Sequence, residues 1–308
     1  MINKIVIATR KSLLAMWQAE YVAARIRERY PETAVELLPV STRGDEILSM
    51  PLAEIGGKGL FIKELEYLLL EGKADLAVHS LKDMPAELAP DFTLAAVTAR
   101  EDPRDAFVSL KYGSVEELPA GAKVGTSSLR RQSQLLHRRG DLAVASLRGN
   151  VQTRLRKLDE GQYDAVILAA AGLKRLGLGD RIRSYLTAEE SIPAAGQGVM
   201  AVEVRKADTE LRRMLSFLHD EDVAACISAE RAFLGRVGGD CKVPAGAYAE
   251  MRDGQIHVDA FISSVDGKRF YRKAFAGPAG EAEALGAGAA EALLDAGGRE
   301  VLAEIGEN

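Results

Sequence analysis

Short apolar runs alternate with segments of helical period along the first two hundred residues, and that alternation leaves few folds open. Ile5-Val6-Ile7-Ala8 reads as a strand, and Ser12 then stands where a helix cap belongs. Leu14, Trp17 and Tyr21 follow at i, i+3 and i+7, the spacing of one buried helix face. Ala34 to Val40 reads as a second strand. Phe61, Leu65, Leu68 and Leu69 repeat at helical spacing before a third apolar run at Leu76-Ala77-Val78. The βαβα order predicts a parallel sheet with helices on its faces.

The pattern restarts beyond Glu101-Asp102-Pro103-Arg104. Val124-Gly125 leads into Thr126-Ser127-Ser128 and a helix from Leu129 to about Arg139. Leu142 to Leu147 and Ala165 to Ala170 read as strands, with a helix over Val151 to Leu158 between them and a short one through Leu173 and Leu176 after them. This is a second α/β unit of similar size, and two such units would flank a cleft. Ile192 to Gly198 is rich in small residues and reads as a connection, and Val199 to Val204 as a strand. In the last third, Asp253-Gly254 and Asp266-Gly267 each sit between β-patterned runs, a strong hairpin signal. Alanine-rich helices follow through Ala282–Leu294 and Glu300–Ile305, so the third part is α+β.

Within this frame the segment Ala74 to Pro85, ADLAVHSLKDMP, stands out. Its apolar run stops at His79-Ser80, and a loop then presents Lys82 and Asp83. Ligands of open α/β folds bind beyond the carboxyl ends of the strands. Two readings are open from these residues alone: a solvated turn, or an ammonium and a carboxylate placed for chemistry. Thr126, Ser127, Ser128, Arg130 and Arg131 put hydroxyls and guanidinium groups at a strand-to-helix junction, where free backbone N–H groups and the helix dipole favour an anion. Arg148-Gly149-Asn150, Arg154 and Lys174-Arg175 follow later strands. Arginine suits carboxylates because its planar fork donates two parallel hydrogen bonds.

Charge is distributed to match. The chain carries a net charge of −5, yet between Gly121 and Leu158 nine Lys or Arg face one acid, Asp141. A local cationic surface on an acidic protein points to an anionic ligand. Gly56-Gly57-Lys58-Gly59 is not a phosphate loop, because Leu52 stands where its first glycine belongs and Gly59 replaces the Ser or Thr after lysine. The 308-residue chain has two cysteines, Cys226 and Cys241, and four histidines, with no zinc spacing and no metal site expected. Cys226 lies in an apolar helical context, whereas glycines before and Pro244 after Cys241 hold it in a loop, where a thiol is accessible. MINKIVIATRKS lacks a signal-peptide h-region and no later run is long enough for a membrane span, so a cytoplasmic protein is expected.

Eight ordered blocks now carry a resemblance: IATRKS at 7–12, GGKGLFIKELE at 56–66, DLAVHSLKDMP at 75–85, VGTSSLRRQ at 124–132, RGNVQTRL at 148–155, ILAAAGLKRL at 167–176, PAAGQG at 193–198 and CKVPAGAYAE at 241–250. The chain resembles the porphobilinogen deaminase (hydroxymethylbilane synthase) family over nearly its whole length. The resemblance implies a transferase that joins four porphobilinogen molecules head to tail, releases ammonia at each step and yields the linear tetrapyrrole hydroxymethylbilane. It implies a dipyrromethane cofactor held by a thioether to Cys241. It implies that Asp83 is catalytic, and that Ser80, Lys82, Asp83, Thr126, Ser128, Arg130 and Arg131 face the cofactor. Arg10, Ser12, Arg148, Arg154 and Arg175 would face the substrate, Lys58 would lie on a lid loop and Gln197 in the interdomain segment. Each pyrrole carries an acetate and a propionate, so the growing chain is a polycarboxylate.

The implied architecture is two periplasmic-binding-protein-like α/β domains around a cleft, 1–99 with 199–218 and 103–193, plus a small α+β C-terminal domain, 221–308. A monomer is implied. Two positions depart from the family pattern: Asp240 replaces a glycine before the cysteine, and Glu54 stands where relatives carry a lysine. Two other classes compete. A solute-binding protein for small polyanions would share the fold, but it does not account for Asp83 with Cys241. A nucleic-acid-binding protein would use the cationic segment, but that segment has no Phe, Tyr or Trp to stack bases, and net charge is acidic.

Overall fold

The computed structural model describes residues 2–42, 62–238 and 243–306. Lys58 and Glu54 of the expected lid loop, and Asp240 and Cys241, lie outside the described residues. The chain divides into two compact units, Met1–Glu101 with Val199–Ala224, and Asp102–Gly198 with Ala225–Asn308.

The first unit is built on a five-stranded sheet. Its strands are β1 (Lys4–Arg10), β2 (Ala34–Val40), β3 (Leu76–Ser80), β4 (Phe92–Val97) and β10 (Met200–Arg205), in the order β2-β1-β3-β10-β4. β2, β1 and β3 are parallel, as the βαβα reading requires. β10 returns antiparallel between β3 and β4, which makes the sheet mixed. Helix α1 (Leu13–Arg29) covers one face, where Ile5, Ile7, Leu76, Val78, Val202 and Val204 meet Val22 and Ile26. Helix α2 (Lys63–Leu70) covers the other, where Ala8, Ala77 and Phe92 meet Leu65 and Leu69. Each fully buried Leu or Ile contributes about 1.5–3 kcal/mol relative to exposure.

The expected buried stripe of α1 is corrected here. Trp17 and Tyr21 are 37% and 41% exposed, and they stack on each other with ring centroids 5.5 Å apart. The face that meets the sheet is Gln18, Ala19, Val22, Ala23 and Ile26. Small residues let the helix approach the strands closely, and the two large rings are displaced to its flank.

In the second unit β5 (Asp105–Val108), β6 (Lys123–Gly125), β7 (Ala143–Ala145), β8 (Ala165–Ala169) and β9 (Ser184–Leu186) form a sheet of order β7-β6-β8-β5-β9. Its helices are α3 (Leu129–Arg138), α4 (Val151–Asp159) and α5 (Ala170–Arg175). β7, β6 and β8 are parallel, and β5 is antiparallel to both its neighbours. The topology repeats that of the first sheet, with β6, β7, β8, β5 and β9 in the places of β1, β2, β3, β10 and β4.

The same unit holds an antiparallel sheet of β11 (Ala245–Arg252), β12 (Gln255–Ser263) and β13 (Phe270–Pro278). Helices α7 (Glu221–Arg236) and α8 (Ala282–Leu293) pack on it; α6 (Thr209–Leu215) belongs to the first unit, and α9 (Arg299–Gly306) ends the described chain. Asp253 and Gly254 both have positive φ, 50° and 75°, as a tight I′-type hairpin between β11 and β12 requires. Gly267, φ 72°, presses the next hairpin tip against α3, and a Cβ there would collide with the backbone of Ser133 and His137. His137 is hydrogen-bonded to Gly267 O at 2.9 Å and stacks on Phe270. The α/β class and the small C-terminal α+β domain expected from the sequence are thus both present. Among the described residues no helix is long and apolar enough to cross a membrane.

Candidate functional site

β1 and β3 run parallel and adjacent, so their carboxyl ends lie side by side. Arg10 ends β1, half-buried, and Ser12 caps α1 by accepting from Ala15 N. Ser80 ends β3 on the face toward α1, where the buried Gln18 donates Nε2–H to its Oγ at 2.9 Å. A single 3-10 turn, Leu81–Asp83, follows at once. It is anchored by buried Leu81 and Met84, by Leu81 N donating to Val199 O (3.0 Å) and by Met84 N donating to Leu81 O (3.0 Å). Lys82 is half-buried and the Asp83 carboxylate is exposed. The turn therefore presents its charged pair from a fixed apolar base.

The second unit offers three neighbouring parallel strand ends. After β6, buried Thr126 accepts from Ser128 N through Oγ1, and Ser128 Oγ caps α3 by accepting from Arg131 N. Ser127 Oγ donates to Leu147 O. After β7, Arg148 is half-buried, and its Nη1 is buried with no hydrogen-bond partner among the described residues. Asn150 caps α4 by accepting from Thr153 N at 2.9 Å, and Arg154 Nε donates to Gly149 O at 2.7 Å. Arg175, at the end of α5 after β8, donates to Gly198 O at 2.6 Å.

Arg130 and Arg131 are not surface arginines. Both are buried, and both pair with Asp105, which opens β5 and is wholly buried. Arg130 Nη2 donates to Asp105 Oδ2 (2.7 Å), and Arg131 Nε and Nη2 donate to Oδ1 (3.0 and 2.8 Å). Gln197 Nε2 and Ser191 Oγ add two further bonds to the same carboxylate. Burial alone would raise the Asp105 pKa. The charges of Arg130 and Arg131 and the bonds from Arg131 and Gln197 outweigh it and hold the carboxyl well below the usual range. Asp102, bonded by Arg104 and Lys174, is likewise held low against its own desolvation.

Asp105, Gln18 and Glu203 escaped the sequence reading. Their common signal is a polar residue inside or opening an apolar segment, DAFV, LLAMWQA and MAVEVR, a pattern that exposed residues also produce. Cys226 is buried in the core of the C-terminal domain, as its apolar context predicts. No group of three His, Cys, Asp or Glu that could hold a metal occurs among the described residues.

Comparison with known proteins decides the family. Residues 5–213 match the model of the porphobilinogen deaminase dipyromethane cofactor binding domain, and residues 224–295 that of the porphobilinogen deaminase C-terminal domain. The chain belongs to the porphobilinogen deaminase family. Porphobilinogen deaminases of Chromobacterium violaceum and Thiobacillus denitrificans are each 54% identical, over 98% and 97% of this chain and 98% of each relative. That of Methylobacillus flagellatus is 54% identical over 98% of this chain and 97% of its own. Among solved structures, the methionine-binding protein MetQ aligns over 70% of this chain and 89% of its own at 15% identity, with a TM-score of 0.46. The family is one of enzymes, and its cofactor-binding domain spans Asp83, Arg10, Arg130, Arg131, Arg148, Arg154 and Arg175.

Proposed function

We propose that this chain acts as a transferase that condenses four porphobilinogen molecules into hydroxymethylbilane, with Asp83 as its catalytic residue. The observation that most supports this is the buried Nη1 of Arg148, a donor with no partner among the described residues, with the polar helix caps Ser128 and Asn150 at neighbouring strand ends. A buried cationic donor calls for an anion, and both a dipyrromethane and the growing chain are polycarboxylates. The donor set therefore fits the group. When bound, the dipyrromethane supplies the pyrrole end from which the chain is extended.

The roles of the chain's own residues follow from charge. Loss of ammonia from porphobilinogen leaves a cationic methylene-pyrrole, and the Asp83 carboxylate stabilises that charge. The same carboxylate accepts pyrrole N–H bonds and moves protons during deamination and coupling. Lys82, Ser80, Thr126, Ser128, Arg130 and Arg131 are assigned to the cofactor, the last two acting from positions set by Asp105. Arg10, Ser12, Arg148, Arg154 and Arg175 are assigned to the substrate carboxylates, and Lys58 to a lid loop. Cys241 is assigned the thioether. The same proposal assigns a three-part division into 1–99 with 199–218, 103–193, and 221–308, and a monomer acting in the cytoplasm without nucleic-acid or membrane partners.

Intact-mass measurement tests this reading. The active protein is expected to exceed its polypeptide mass by two linked pyrrole units. Cys241→Ser should abolish that excess and Cys226→Ser should not. An active preparation at bare polypeptide mass would overturn the cofactor assignment.

A further inference from the structure

β10 carries one acid in an apolar run, MAVEVR, and that acid, Glu203, is fully buried. Its Oε2 is hydrogen-bonded to His79 Nε2 at 2.9 Å, and His79 is itself only 7% exposed. Neither residue has a part in the chemistry above. The pairing register sets Ala201 opposite His79 and Glu203 opposite Ala77, so the two side chains form a diagonal pair on the α2 face of the sheet. Beside Glu203 the β10–β4 register shifts: Val202 pairs with Ala96 but Glu203 with Leu94, leaving Ala95 as an extra residue. Bulges of this kind re-aim side chains locally. Glu66, on α2, also senses the pair. Burial raises its pKa first, the Glu203 charge raises it further, and His79 and Lys63 act the other way.

His79 lies four residues before Asp83, and the turn that presents Asp83 hangs from the same register. Met200 pairs with Ser80, and the next rung outward is the bond from Leu81 N to Val199 O. A one-residue slip of β3 on β10 would turn His79 to the opposite face and leave Glu203 buried and unpaired. A buried carboxylate without its partner is strongly disfavoured, so the pair penalises every register but one. We propose that His79 and Glu203 are positioning residues, a buried polar lock that fixes the β3–β10 register and thereby the place of the Asp83 carboxylate. The inference rests on the catalytic reading of Asp83.

The test compares His79→Asn, His79→Gln and Asp83→Asn in the cofactor-loaded protein. Asparagine is too short to reach Glu203, whereas the glutamine amide can take the place of Nε2. His79→Asn is expected to lower kcat about tenfold or more, with KM for porphobilinogen changed less than about twofold and the two-pyrrole mass excess retained. His79→Gln should recover most of the loss. Wild-type kcat in His79→Asn beside an inactive Asp83→Asn overturns the lock and leaves Asp83 standing. Full activity in Asp83→Asn overturns the catalytic reading and the lock with it. Should His79→Asn not fold, a folded His79→Gln with kcat more than tenfold down would by itself overturn the proposal.

Discussion

The two five-stranded sheets have the same strand order, and in each the inserted antiparallel strand carries one fully buried carboxylate: Glu203 on β10 and Asp105 on β5. The answers to them differ. Asp105 is met by two guanidinium groups, an amide and a hydroxyl, and both its oxygens are satisfied. Glu203 is met by one imidazole at 2.9 Å, and its Oε1 has no hydrogen-bond partner among the described residues. The first arrangement is a closed knot that keeps a charge permanently compensated. The second is a single directional bond beside the strand that ends at Asp83. A repeated topology therefore uses the same buried feature once to tie arginines into a framework and once, on the proposal above, to register the turn that carries Asp83.

The largest expected effect lies at the exposed end of that second arrangement. Asp83→Asn should lower porphobilinogen turnover by roughly 10²–10⁴-fold, within the range for loss of a positioned acid–base or charge-stabilising group. Its thermal midpoint should stay near wild type, because the side chain is exposed. Near-normal turnover would remove the functional half of the comparison.

The knot around Asp105 should instead show in stability. Asp105→Ala leaves two buried guanidinium groups without their counter-ion, and breaking such a cluster costs about 3–5 kcal/mol. Glu203→Gln, which keeps a hydrogen-bonding partner for His79, should cost less, about 1 kcal/mol. Urea denaturation of both variants checks the contrast, and equal costs would break it. Arg148→Ala removes a charge-assisted contact of about 1.5–3 kcal/mol and should raise KM for porphobilinogen roughly tenfold to a hundredfold. An unchanged KM would take Arg148 out of the binding set.

Titration separates the sheets further. The Asp105 pKa is depressed in the folded protein, so its contribution is complete above the ordinary aspartate range and is lost only as pH falls through the depressed value. Glu66 behaves oppositely. Its folded pKa is raised, so its favourable contribution is complete below the ordinary glutamate value and is lost as pH rises through the folded value. Glu66→Gln should therefore raise Tm slightly at neutral pH, by about 2 °C at most, with the gain vanishing in acid. A loss at neutral pH would contradict the raised pKa. Scanning calorimetry across pH resolves the sign.

Much of the frame is legible in the sequence. The strand Ala34–Val40, the helix start at Leu129 and the Asp-Gly hairpin follow from local rules, because apolar period, cap chemistry and left-handed turn residues act over a few positions. Ser12 is readable as a cap for the same reason. Spacing alone places Trp17 and Tyr21 on the buried face, but they are partly exposed, since spacing marks a face without saying which residues let the helix approach the sheet. The pairing of Arg130 and Arg131 with Asp105 is not legible in the sequence, because the counter-ion is 25 residues or more away in the chain.

The sequence by itself determined the α/β alternation, the capped strand ends and the family to which the chain belongs. Tertiary structure alone decided which charges are compensated. Asp105 reaches its arginines from a strand inserted antiparallel into the sheet, and Glu203 reaches His79 across 124 residues. Such partners leave no local signature, because the energy that selects them comes from burial, which exists only once the sheets have closed over them.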